Sequence, residues 1–439
     1  MDKKTRAVLL IIIVLMAFGF SINFIAYSLF STTSHRATPR VILISIDSGN
    51  ADYLSEAMMP KLFGEVMAHG TKFKSAITVL PAETQHGHTS MLTGAFPNKT
   101  GLLGNGLYFN DTGQTVGVLL DPDYRLAETI FEAINRTNPA LKTAFISGKW
   151  RLPPLLSKGA DLIFASPVTD IPLPEGYLQR LGSPVLFYDG DIVDTWIIDA
   201  LIDVIKHDDP DFTFVNLAWT DVFGHFCGGI GDYSAIIQQQ LWELDDLFMR
   251  LITELKAMGE FENTVLVITS DHGMETVEKF VDVQGYLADN GVESHIHIEG
   301  ASGFVFLTNS SQKDAAVSLL RQHPDIAVVV PRENMSQYPY CLDTFINRTG
   351  HIYFSMREHV QISLQLFGDD LPLGNIGSHG GISCQDTIMA FMGPNITCPG
   401  YERVDIVPNI VDIVPTICHI MGWTVPQQAQ GRVLYEILE

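Results

Sequence analysis

Apolar residues in this chain fall into short unbroken runs, with longer stretches between them in which they recur every three to four positions. The runs are VILISI (41–46), TAFIS (143–147), FTFVNLAW (212–219), TVLVITS (264–270) and TIMAFMG (387–393). A continuous, β-branched run of this length marks a strand buried on both faces. Helical spacing lies between them, around 124–135, 190–206 and 234–258. The alternation predicts an α/β fold, a mostly parallel central sheet with helices on both faces. The stretch 275–378 departs from it. It lacks regular strand–helix alternation and carries His295, His297, Pro331 and several aromatics. It is read as an inserted cap lying within about 280–370. Internal repeats and low-complexity segments are absent from the sequence.

One further apolar run differs in length. Residues 7–29 carry no charge and suffice to cross a bilayer as one helix. Lys3, Lys4 and Arg6 precede it and favour a cytoplasmic N-terminus, against Arg36 and Arg40 on the other side. A cleaved signal peptide is the alternative, but the run is longer than a usual signal core and lacks a clean cleavage site. The expected organisation is a cytoplasmic N-terminus (1–6), a transmembrane signal anchor (7–29), a polar linker (30–40) and an extracytoplasmic main domain (41–439). Seven N-x-S/T triplets, at Asn98, Asn110, Asn135, Asn309, Asn334, Asn347 and Asn395, agree with export and with a glycoprotein.

The formal charge is −23. Such a surface repels polyanions and excludes bulk DNA or RNA binding, while bound dications would still admit a small anionic substrate. Five cysteines are too few for a disulfide scaffold and form no CxxC; Cys384 and Cys398 are a candidate pair.

Chemistry enters where the apolar runs end. Asp47 ends the first run, Asp221 follows the third and Asp271 ends the fourth. Sites in open α/β sheets form beyond the carboxyl ends of the strands, so three carboxylates are expected at one edge. DVFGH (221–225) puts Asp221 and His225 at i and i+4, facing one way on a helix, with Gly224 allowing close backbone approach. TSDHG (269–273) places Asp271 and His272 at a strand end, with Gly273 expected to supply the break that lets both turn inward. GSHGG (377–381) surrounds His379 with glycines. Thr84 stands where an apolar helix-like pattern begins, at an expected helix N-terminus that favours an anion. Three carboxylates and three imidazoles suffice for two divalent cations with open positions, beside a hydroxyl that a metal could activate.

The ordered set DSGNADYL, PAETQHGHTSMLTGAFPNKTGLLGN, TDVFGH, TSDHGM and GSHGG resembles the alkaline phosphatase superfamily, and most closely its type I phosphodiesterase and nucleotide pyrophosphatase branch. The likeness runs from about 41 to 435. It implies two Zn²⁺ per chain, with other divalent metals admissible. One would be held by Asp47, Asp271 and His272, with Thr84 as the coordinated nucleophile; the other by Asp221, His225 and His379. Asn105 resembles the amide that donates to a phosphoryl oxygen. The chain departs from the family pattern in Thr84-Gln85-His86-Gly87-His88, in Ser48 where Gly is common, and in Ala-Trp-Thr before Asp221. These departures bear on nucleotide preference. A monoesterase adds a cation near the phosphate; Lys149 and Lys99 are candidates, against the plain alternative of surface lysines. The implied substrate is a small phosphate ester, such as a nucleotide or a lysophospholipid. The rivals are a phosphomonoesterase, phosphonate hydrolase or phosphoryl transferase on the same frame, and a membrane-anchored binding protein without turnover.

Overall fold

The computed structural model describes residues 36, 38–229, 235–337, 348–363 and 376–438. The expected anchor at 7–29 and Asn347 lie outside the described residues. Among those described, no helix is long and apolar enough to cross a membrane.

Each apolar run became a strand of one sheet. We label its strands β1 (Arg40–Ile46), β2 (Gly70–Lys72), β3 (Thr143–Ser147), β4 (Leu162–Phe164), β5 (Phe212–Leu217), β6 (Thr264–Thr269) and β7 (Met389–Met392). Their order is β2-β7-β6-β1-β5-β3-β4. The block β6-β1-β5-β3-β4 is parallel, while β7 runs antiparallel to both of its neighbours, β6 and the edge strand β2. Every residue of β1, β5 and β6 is buried. Alternate side chains supply two cores. Ile42, Ile44 and Ile46 face the helices Pro60–His69, Asp194–His207 and Ala235–Met258; Val41 and Leu43 face the opposite layer, which includes the helix Ile413–Met421. Burying one such aliphatic side chain stabilises by about 1.5–3 kcal/mol. The two-sided covering is why these strands read as unbroken apolar runs.

The 275–378 stretch is more regular than its sequence suggested. The strands Ser294–Glu299, Ser302–Leu307, Ile352–Met356 and Ile326–Pro331 make an antiparallel sheet in that order. The helices Val283–Asp289 and Lys313–Gln322 pack on it around a separate core that includes Val305, Leu320 and Phe354. The missed alternation has a physical cause: Ser302–Leu307 is buried on both faces yet opens Ser-Gly, which hides it.

Two smaller expectations also change. Cys384 and Cys398 do not pair: Cys384 is buried, Cys398 is exposed, and both are free thiols. Of the sequon asparagines, 110, 135, 309, 334 and 395 are exposed and Asn98 is half-buried.

Candidate active site

The carboxyl ends of β1, β5 and β6 are adjacent because β1 lies between the other two. Asp47 follows β1 directly. β5 runs through Ala218 into a helix, α2 (Trp219–Cys227), whose first turn holds Asp221 and whose last turn holds His225. Their side chains meet as the i, i+4 spacing requires, His225 Nε2 lying 3.4 Å from Asp221 Oδ1. The close backbone approach depends on Gly377 rather than Gly224: a Cβ on Gly377 would sit 2.2 Å from the Gly224 carbonyl, whereas one on Gly224 would meet the Met274 side chain at 2.9 Å. That contact places His225 Nδ1 3.1 Å from the Gly377 carbonyl.

After β6 the chain leaves the sheet at Ser270, before Gly273. The break is therefore not made by glycine freedom, and Gly273 has no left-handed φ. It is a glycine for space, since a Cβ there would stand 2.0 Å from Asn50 Oδ1. The loop turns Asp271 and His272 the same way, with His272 Nε2 3.2 Å from Asp271 Oδ2 and 3.8 Å from Asp47 Oδ1.

Thr84 is the first residue of the helix α1 (Thr84–Thr93). Its hydroxyl lies 3.0 Å from His272 Nε2. α1 comes this close because residue 87 is glycine; a Cβ there would be 2.6 Å from the Asp271 carbonyl. His379 stacks on His272 with ring centroids 4.0 Å apart, its Nε2 3.7 Å from Asp221 Oδ1. All seven residues predicted to carry the chemistry therefore converge.

Two overlapping trios have donor atoms mutually within 4.8 Å: Asp47, Asp271 and His272, and Asp221, His272 and His379. Asp47 Oδ1 is buried without a hydrogen-bond donor, and Asp271 Oδ2 has beside it the imidazole nitrogens of His88 and His272, each at 3.2 Å. Unsatisfied carboxylate oxygens facing imidazole nitrogens are the arrangement a cation would complete, so the donor set fits divalent metals. His272 sits between the trios, whereas His225 stands at the edge with its side chain 43% exposed and joins through Asp221.

The electrostatics agree with that fit. Burial, and then the charge of Asp271, push the Asp47 carboxyl well above the usual range. Burial works the same way on Asp221, but Lys149 and the surrounding imidazoles outweigh it and hold Asp221 well below that range. Burial depresses His272 to about 4, which leaves its Nε2 lone pair free. Burial opposes protonation of His379 too, yet the Glu83 carboxylate raises it to about 10.

Lys149 is no surface lysine. It follows the carboxyl end of β3, its side chain is 12% exposed, and its Nζ lies 2.5 Å from Asp221 Oδ2 and 3.4 Å from Asp191 Oδ2. Lys99, in contrast, is exposed on the short helix Pro97–Thr100. Thr84, Asn105, Lys149, Asp221, His225 and His379 line one cavity of about 500 Å³, with Arg151, Tyr188 and Phe226 also on its wall.

Several partners were not foreseen. Asn216, a polar residue inside the apolar β5 run, donates to Asp47 Oδ2 at 2.9 Å and accepts from the Lys149 amide at 3.0 Å. Ser45, inside β1, meets His88 Nε2 at 2.9 Å, and His88 Nδ1 lies 3.2 Å from Asp271 Oδ2. A polar residue near the carboxyl end of a buried strand was the available signal. Ser48 holds φ at 60°, the left-handed region, and its hydroxyl donates to Asp221 Oδ1 at 2.6 Å. The common glycine at this position in the family pattern is thus explained by backbone conformation, and the serine by what its hydroxyl holds.

Comparison with known proteins places this geometry. The profile of the family described as type I phosphodiesterase / nucleotide pyrophosphatase matches residues 41–369. A mouse bis(5'-adenosyl)-triphosphatase is 24% identical over 402 residues, covering 89% of this chain and 79% of that protein. Among solved structures, murine ectonucleotide pyrophosphatase / phosphodiesterase 5 superposes with a TM-score of 0.68 at 19% identity, covering 92% of this chain and 100% of the other. The alkaline phosphatase PafA superposes at 0.70 and 17% identity, covering 92% and 99%. The chain belongs to the type I phosphodiesterase / nucleotide pyrophosphatase family and is a hydrolase of phosphoric ester or anhydride bonds.

Proposed function

We propose that the chain is a two-metal phosphodiesterase or nucleotide pyrophosphatase that works through a threonyl-phosphoryl intermediate. The observation that carries the reading is the place of the Thr84 hydroxyl: it opens a helix, faces the cavity and lies 3.0 Å from the imidazole shared by both ligand trios. Divalent cations, zinc by resemblance, would be held by Asp47, Asp271 and His272 and by Asp221, His225 and His379; they would supply Lewis-acid stabilisation of the phosphoryl oxygens and lower the pKa of the hydroxyl.

The protein groups do the rest. Thr84 Oγ forms a bond to phosphorus as the bond to the leaving oxygen breaks, and its proton departs to solvent. Water then cleaves the threonyl ester and frees the phosphate product. The Asn105 amide and the positive end of α1 that it caps meet the charge that builds on the non-bridging oxygens. Asp47 is oriented by Asn216, and Asp271 lies beside His88. The leaving group departs into the cavity past Tyr188 and Phe226, exposed aromatics that meet edge to face at 5.0 Å and give that wall an apolar surface.

The substrate class follows the relatives. The mouse relative is named for a dinucleoside triphosphate, and a threonine-to-alanine variant of murine phosphodiesterase 5 is described as inactive and in complex with AMP. Both support a nucleotide and a threonine nucleophile for this chain. With residues 7–29 as anchor, the reading places the catalytic domain outside the cytoplasm.

One observation favours a second reading, phosphomonoester hydrolysis. Lys149 and Arg151 both reach the cavity wall. A second PafA structure carries substitutions at a threonine, an asparagine, a lysine and an arginine, spaced pairwise as Thr84 and Asn105, and as Lys149 and Arg151, are here. In this chain, however, Lys149 is already engaged by Asp221 and Asp191, and Arg151 by Asp189 at 2.6 Å.

The test is a substrate panel on the purified chain with zinc supplied: diadenosine triphosphate, nucleoside triphosphates, a lysophospholipid, bis-p-nitrophenyl phosphate and p-nitrophenyl phosphate. Diester or pyrophosphate turnover exceeding monoester turnover is expected; the reverse order establishes the second reading. Thr84→Ala should abolish turnover while metal stays bound, and full activity in that variant refutes the nucleophile assignment.

A further inference from the structure

Glu83 occupies the N-cap position of α1, a place that normally goes to Ser, Thr, Asp or Asn because their short side chains reach the first free amides. Its carboxylate caps nothing in the helix. The capping is done from outside, by Asn105, whose Oδ1 accepts from the Gln85 amide at 2.7 Å. That bond fixes which way the Asn105 carboxamide lies, and the freed Glu83 side chain takes the other end: Asn105 Nδ2 donates to Glu83 Oε2 at 2.6 Å. The same oxygen lies 3.3 Å from His379 Nδ1, which also meets the Ala82 carbonyl at 3.2 Å.

The surroundings are shaped to this carboxylate. Glu83 is 3% exposed. A Cβ on Gly300 would stand 2.9 Å, and one on Gly380 2.7 Å, from Glu83 Oε1. Both glycines are required first by their left-handed φ and by backbone contact, Gly300 with the His379 carbonyl at 2.1 Å and Gly380 with the Glu299 carbonyl at 2.2 Å, and the space they leave also admits the Glu83 carboxylate. The hairpin adds a second acid: Glu299 accepts from the Asn105 amide at 2.8 Å and from the Gly106 amide at 3.0 Å. Asn105 is held by its backbone through Glu299 and by its side chain through Glu83.

We propose that Glu83 is a positioning residue that ties the phosphoryl-oxygen donor to the second cation site. One oxygen orients the Asn105 amide, leaving its second Nδ2 hydrogen for the substrate. With the Ala82 carbonyl it also engages His379 Nδ1, which turns Nε2 toward the cation site. A carboxylate behind a ligand imidazole raises ligand basicity and fixes its tautomer. Here the same carboxylate also holds the group that meets the transition state. The inference rests on the functional reading above.

The experiment compares Glu83→Ala, Glu83→Gln, Asn105→Ala and Glu83→Ala/Asn105→Ala in the full chain. Zinc affinity is read by competition with a chromogenic chelator, and kcat/KM at saturating zinc. Glu83→Ala is expected to weaken zinc about 10- to 100-fold, whereas Asn105→Ala leaves zinc affinity unchanged. At saturating zinc the double variant is expected to be no slower than Asn105→Ala alone, whose own loss is about 10²- to 10³-fold. Glu83→Gln keeps an acceptor oxygen and should retain most of the rate while still binding zinc more weakly than wild type. Costs that multiply in the double variant, or wild-type zinc affinity in both Glu83 variants, overturn the proposal. If Glu83→Ala does not fold, wild-type zinc affinity in Glu83→Gln alone overturns it. A wild-type chain that turns over no phosphoester defeats the functional reading instead, and the zinc measurement still judges Glu83.

Discussion

Replacing Asp47 with asparagine should stabilise the metal-free protein and weaken the zinc-loaded one. Asp47 is fully buried, its Oδ1 has no donor, and the charge of the equally buried Asp271 acts on it. Without a cation the folded chain bears that unsatisfied charge. Its pKa is raised in the folded state, so stability is lost as pH rises from the unfolded carboxylate value through the folded one. An amide removes the charge and can keep the Asn216 contact through its oxygen. An unsatisfied buried polar group costs about 1–3 kcal/mol. Unfolding entropy near 2.1 cal/mol/K per residue puts about 0.9 kcal/mol on each degree for a chain of 439 residues. In chelator, Asp47→Asn should therefore melt roughly 1–3 °C above wild type, and the gain should grow from pH 5 to pH 8. Each zinc present at a hundredfold excess over its Kd adds about 2.7 kcal/mol, or roughly 3 °C. Wild type should gain two such increments and the variant one, so zinc should cancel or reverse the variant's lead. The assay is differential scanning fluorimetry across pH with and without metal. A variant that melts below wild type in chelator, or gains the full zinc shift, would refute the assignment of Asp47 as a ligand.

Lys149→Met should lower kcat/KM for p-nitrophenyl phosphate by roughly 10- to 100-fold, the worth of one charge-assisted hydrogen bond to a dianion. It should cost the bis ester much less; equal losses on both substrates would remove Lys149 from monoester recognition. Ser48→Ala keeps a β-carbon at φ 60° and loses the Asp221 bond, whereas Ser48→Gly loses the same bond without the left-handed strain. Chemical denaturation should find Ser48→Gly more stable than Ser48→Ala by about 1 kcal/mol. Both should lose zinc affinity alike, and equal stabilities would show that the backbone there is unstrained.

The convergence of the site was legible because strand ends are easy to read. A run such as VILISI stops where the chain must leave the core, and Asp47 is the next residue. Direction was not legible. The run at 387–393 signals two-sided burial, and nothing in it distinguishes the antiparallel inner strand it forms from a parallel one. Side-chain destination was also hidden: Lys149 resembles any polar loop lysine until β3 and β5 are known to be neighbours, which brings it onto Asp221. Glu83 was overlooked although it stands beside Thr84. A glutamate in an N-cap slot that disfavours it was the signal, and its partners Asn105 and His379 lie too far along the sequence for spacing to reveal them. The DVFGH and GSHGG readings fared better, since helix periodicity and glycine-made space act locally.

The strand β1 begins beside Arg36 and Arg40, which are gripped by Asp209, Asp211 and Glu260, and ends at Asp47. Seven extended residues separate those points, a span of about 23 Å. Anything attached ahead of Arg36 is thus moored at one pole of the molecule while the mouth opens at the other.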